Sequence, residues 1–158
     1  MIDRVKIGAV VALTLLAGCV ANAEPKNNDL ACKFRHDVRE VDSFGAMPAA
    51  IQDYLKPKFD FDDPHTGGIA PRDGKWNATD VVMADAPFRR FIRAGHAGDK
   101  WFLWYERGGI AYFKVLAVFG PGAPPTVLVH LTSPTPDLCV ATDKALDGKG
   151  PSVTETIW

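Results

Sequence analysis

A glycine pair, Gly108-Gly109, set between two runs of aromatic and aliphatic residues, constrains this chain more than any other feature. Both central positions of a type I′ turn need positive φ, which glycine adopts without steric cost, so the pair predicts a tight hairpin joining residues 100–107 to residues 110–119. A two-residue turn also fixes register: Glu106 faces Ala111, Tyr105 faces Tyr112, Trp104 faces Phe113 and Phe102 faces Val115. Alternation along each strand then sorts the side chains onto two faces. Phe102, Trp104, Ala111, Phe113, Val115 and Ala117 form an apolar face assigned to the core. Trp101, Leu103, Tyr105, Arg107, Tyr112, Lys114 and Leu116 form a second face of mixed aromatic and basic character.

Two further runs, 88–96 and 126–132, have the same strand-like composition and are set off by Ala97-Gly98-Asp99 and by the glycine- and proline-rich stretch 120–125. The expected fold is α+β: an antiparallel meander of about four strands with one or two helices. The run 88–96 also reads as a helix, with Asp85 as its cap and Pro87 just inside it. Residues 46–56 predict a helix, with Pro48 in the first turn, Met47, Ile51, Tyr54 and Leu55 on one face, and Pro57 at its end. Residues 29–42 read as a short strand or helical turn entering a charged loop, 59–77 as a long irregular excursion, and the chain beyond Cys139 as a polar, glycine-rich surface tail.

The start of the chain carries an address. Arg4 and Lys6 precede an apolar run, 7–17, that is too short to span a bilayer, which takes about 20 apolar residues. Leu16-Ala17-Gly18-Cys19 closely resembles the lipobox of bacterial prolipoproteins. The resemblance implies removal of a signal peptide, 1–18, and lipidation of Cys19, with residues 19–30 as a tether and 31–158 as a single globular domain. Two or more acyl chains give stable membrane attachment. Val20 in place of Asp after the cysteine implies the periplasm-facing outer membrane. An alternative cut after Ala21-Asn22-Ala23 would release a soluble protein beginning at Glu24.

With Cys19 set aside, two cysteines remain, Cys32 and Cys139, and an exported pair reads as a disulfide stapling the two ends of the domain. At 47% apolar and 23% charged residues, the composition is that of a folded globular protein. Without Asp3, Arg4 and Lys6 of the leader, 16 basic and 18 acidic residues remain, and this near-balance argues against a nucleic-acid partner.

Chemistry has two candidate locations. The mixed hairpin face offers Trp101, Tyr105, Arg107, Tyr112 and Lys114 as binding residues, because aromatic rings give flat apolar area and basic groups meet carboxylates or phosphates. The leading expectation for Trp101, Tyr105 and Tyr112 is nonetheless that they pack beneath the helix or the long loop, since large aromatics are mostly buried. Asp60, Asp62, Asp63 and His65 form an acidic cluster without the spacing of a calcium loop or a zinc motif, so no metal or cofactor is expected. None of Ser43, Ser133 and Ser152 has the Gly-x-Ser-x-Gly setting of a hydrolase nucleophile. The leading expectation is a noncatalytic cell-envelope lipoprotein domain that binds a peptidoglycan fragment or another envelope protein. The alternatives are an envelope hydrolase using His65 or His96 with nearby carboxylates, with or without a metal, and a purely structural component of an envelope assembly.

Overall fold

The structure, a computed structural model, describes residues 30–133 and 137–150. The expected signal peptide 1–18, Cys19 and the expected tether up to residue 29 lie outside the described residues. Five strands form one antiparallel sheet in sequential order: β1 (Arg39–Val41), β2 (Arg89–Ala97), β3 (Lys100–Arg107), β4 (Phe113–Phe119) and β5 (Val127–Ser133). Two helices, α1 (Ala49–Leu55) and α2 (Leu138–Leu146), complete a single α+β domain. Residues 88–96 are therefore strand rather than helix, and the charged stretch after Phe34 supplies an unforeseen short edge strand, β1.

The β3–β4 register differs from the two-residue hairpin. Arg107 faces Phe113, Tyr105 faces Val115, Trp104 faces Leu116 and Phe102 faces Val118, so five residues, 108–112, make the connection. An odd displacement of three residues moves every β4 side chain to the opposite face. The run Val115–Phe119 is apolar at each position and buried on both faces, so it carries no alternation with which to select a register. The glycines serve other ends: Gly109 takes φ 104°, and a Cβ on Gly108 would lie 2.0 Å from the Asn77 carbonyl oxygen.

Both faces of the sheet are covered. On one, Phe91, Ala94, Leu103, Tyr105, Val115, Ala117 and Phe119 pack against Phe44, Met47, Ile51, Leu55 and Phe59. Ile51 and Leu55, four residues apart, form the buried stripe of α1, and full burial of a side chain such as Leu55 contributes about 1.5–3 kcal/mol. Pro48 caps α1 rather than entering it, and the helix ends at Leu55 because Pro57 has no N–H to return; the chain tightens into a 3₁₀ turn, Lys56–Phe59.

On the other face, Phe102, Trp104, Leu116, Val118 and Val129 pack against Leu138, Cys139 and Ala145 of α2. This helix replaces the start of the expected surface tail. Asp137 accepts a hydrogen bond from the Val140 N–H and caps it, while the Trp104 indole N–H donates to the Thr142 hydroxyl at 2.8 Å. The Cys32–Cys139 disulfide forms, with Cα atoms 6.2 Å apart. It ties the N-terminal segment to α2, and Arg93 reinforces the tie by pairing with Glu40, donating to the Cys32 carbonyl and covering the Phe34 ring.

Candidate functional site

The register places the five expected binding residues on both sides of the sheet. Trp101, Tyr105 and Arg107 share the α1 face, whereas Lys114 is paired with Glu106 on the α2 face and the Tyr112 hydroxyl donates to Glu106 at 2.8 Å. Glu106, nearly inaccessible, also receives Arg90 at 2.5 Å, and Arg90 covers the Trp76 ring. Tyr105 is wholly buried, with its ring against Phe59 at 5.1 Å, because α1 and its flanking turns close over this part of the sheet. Its ring is thus unavailable as an open platform. Trp101, partly covered by the same core, stacks on His96 at 4.7 Å. The mixed face of the two-residue hairpin does not exist as one surface.

What does assemble is one end of the sheet. Arg89, at the start of β2, is the direct cross-strand partner of Arg107, at the end of β3. Together with Asp60, Thr66, Phe88, Ile110 and Phe113 they border a cleft of about 490 Å³. Arg89 is held from behind: its guanidinium lies over the Phe59 ring at 4.9 Å and donates to the carbonyls of Lys58 at 3.0 Å and Phe59 at 3.4 Å. These are the last carbonyls of the 3₁₀ turn, the usual place for a cation to cap. Burial lowers the pKa of Arg89 below its ordinary value, and Arg107 adds to that effect while Asp60 opposes it. Asp60 approaches Arg89 at 3.9 Å from a largely exposed position.

Tyr105 lies within the field of both arginines and His130 within that of Arg107. Burial raises the Tyr105 pKa and the two arginines oppose the rise; among the described residues its hydroxyl has no hydrogen-bond partner. His130, on β5 opposite Ala117, is held down to about 4 by burial first and by Arg107 second, so it is neutral at physiological pH.

Three loops frame this end. In loop 60–68, Asp63 accepts from the His65 and Thr66 backbone N–H groups and from the Thr66 hydroxyl, which lowers its pKa and makes it a brace for the turn. His65 reaches across to Asp85 at 2.9 Å, and this hydrogen bond raises its pKa. The loop after Trp76 is organised around Asn77, which is completely buried: it donates to the carbonyls of Met83 and Ala86 and accepts from the Met83 N–H at 2.6 Å. Around that anchor Val81, Val82 and Met83 project into solvent, as does Ile110 of the third loop, 108–112.

Within the acidic cluster Asp63 braces the loop, His65 pairs with Asp85 and Asp60 approaches Arg89, and among the described residues no three His, Cys, Asp or Glu side chains gather as a metal site. His96 hydrogen-bonds the Gly98 carbonyl at the opposite end of β2, away from His65. Arg89, Thr66 and the Asn77-centred loop were absent from the expected sites, and Asp60 was expected in the separate acidic cluster, since their convergence depends on the β2–β3 pairing and on the path of 59–77. That excursion returns to the sheet through a parallel bridge from Ala70 to Arg90. No known protein family, curated protein or solved structure matches the chain.

Proposed function

We propose that this chain is a noncatalytic cell-envelope domain, exported and anchored through lipidated Cys19, that binds a cell-wall fragment or another envelope protein with the loop end of its sheet. The observation that carries this reading is the Arg89–Arg107 cleft lying between loops that are braced internally yet expose apolar tips at Val82 and Ile110. A concave site with convergent polar groups and an apolar rim suits recognition. The lipobox resemblance supports the envelope setting and the disulfide suits an oxidising compartment.

The test mixes oxidised protein with isolated cell-wall sacculi, sediments them, and separately presents the protein as bait to an envelope extract. Retention by either is expected, with at least a tenfold loss in a Val82→Ser/Ile110→Ser double variant of unchanged melting temperature. Equal retention of the variant would move the site away from the loop end, and no retention in either format would remove the binding reading.

A further inference from the structure

We infer that the Arg89–Arg107 cleft is a carboxylate site whose ligand is a peptide-like chain end, a free carboxylate carried on a small apolar body. The inference rests on the binding reading above for its setting and gives that reading a ligand class.

Like charges placed directly opposite one another across two strands repel, and Arg89 and Arg107 are such a pair. Asp60 is a weak counter-charge, 3.9 Å from Arg89 and with its carboxylate 70% exposed. An anion seated between the guanidiniums turns the repulsion into charge-assisted hydrogen bonds. Arg107 has the donors to make them: a guanidinium carries five N–H groups, and among the described residues no hydrogen bond or ion pair engages this one. Arg89 is fixed in place by Phe59 and two carbonyls, so little freedom is lost when it meets a ligand.

The walls decide between anions. Phe88, Ile110, Ala111 and Phe113 border the cleft beside the arginines. A phosphate, carrying close to two charges and acceptors on every side, would leave oxygens facing these apolar groups. A carboxylate presents oxygens on one side and carbon on the other, matching a cleft that offers both guanidiniums and apolar side chains. The arginine fork also matches its planar geometry.

Calorimetric titration of the oxidised protein with N-acetyl-alanyl-alanine, in L,L and D,D forms, tests this beside the C-terminal amide and inorganic phosphate. The acid in at least one form should bind, with the amide and phosphate each at least tenfold weaker. Arg107→Gln should weaken the acid at least tenfold with a melting temperature no lower than the wild type, because the change removes a repulsion across the strands and Arg107 is partly exposed and holds no described partner. Absence of acid binding, or equal binding of acid and amide, overturns the carboxylate site; phosphate binding as tight as the acid overturns the apolar-body requirement. Sacculus and extract retention measured on the same preparation separates the two ideas. Retention without acid binding leaves the binding domain standing and removes only its carboxylate cleft.

Discussion

His130 occupies a strand position that shows how far one side chain can carry a pH response. Its neutral form is favoured in the folded protein, so between about 4 and the ordinary value of 6.5 the unfolded chain binds more protons than the folded one. Stability therefore falls as pH drops through that window, by up to about 3 kcal/mol for a shift of this size. Urea denaturation at pH 7 and pH 4 is expected to show the loss, and His130→Gln is expected to reduce it. His65 has the opposite sign: its raised pKa gives a contribution complete below 6.5 and lost as pH rises through the higher folded value. The two histidines looked alike as letters in a scattered set. Burial beside Arg107 and exposure beside Asp85 separate them, and neither neighbour is near in sequence. Tyr105 differs from them: its burial beneath the helix or the long loop was expected from the size of the ring, and only the identity of its cover, Phe59, was hidden in the aromatic and basic run.

Among the elements, the loop around Asn77 is the most exacting construction. Three hydrogen bonds from one buried amide hold nine residues of chain against the end of the sheet. Asn77→Ala leaves the Met83 N–H and the Ala86 carbonyl without that partner and is expected to cost about 2–3 kcal/mol. It is also expected to open the Val81–Met83 segment to limited proteolysis at protease levels that spare the wild type; equal resistance would show that the Gly108 contact alone suffices. Strand positions were legible because β2, β3, β4 and β5 are bounded by glycine and proline signals. The β3–β4 register was not, because β4 is buried on both sides and glycines chosen for a tight approach and a five-residue loop look the same as glycines chosen for a two-residue turn. Helix α2 was not legible for a related reason: Gly148, Lys149 and Gly150 just beyond it have the composition of a surface tail, and its Leu138, Thr142 and Ala145 stripe is short.

For the whole molecule, the central fact is a sheet enclosed on both faces by helices that come from its two ends of sequence. Cys32 and Cys139 were legible as a pair from export and count alone, and they close a loop of 107 residues containing all five strands and α1. Reduction, or Cys32→Ser/Cys139→Ser, is expected to lower unfolding stability by about 2–5 kcal/mol, checked by guanidinium denaturation with and without reductant. The cleft was only partly legible: Arg107 belonged to the expected set, but its opposite number Arg89 comes from β2 and Asp60 from a loop far upstream.

The same bond settles how the domain bears a pull. A tug on the segment upstream of residue 32 would by itself peel off β1, a three-residue edge strand with little to resist shear. With the sulfurs joined, the load at Cys32 is shared with α2, whose Leu138 and Ala145 are packed against the sheet. A strain drawn between the two chain ends passes from sulfur to sulfur and leaves β1 to β5 slack, off the line of force.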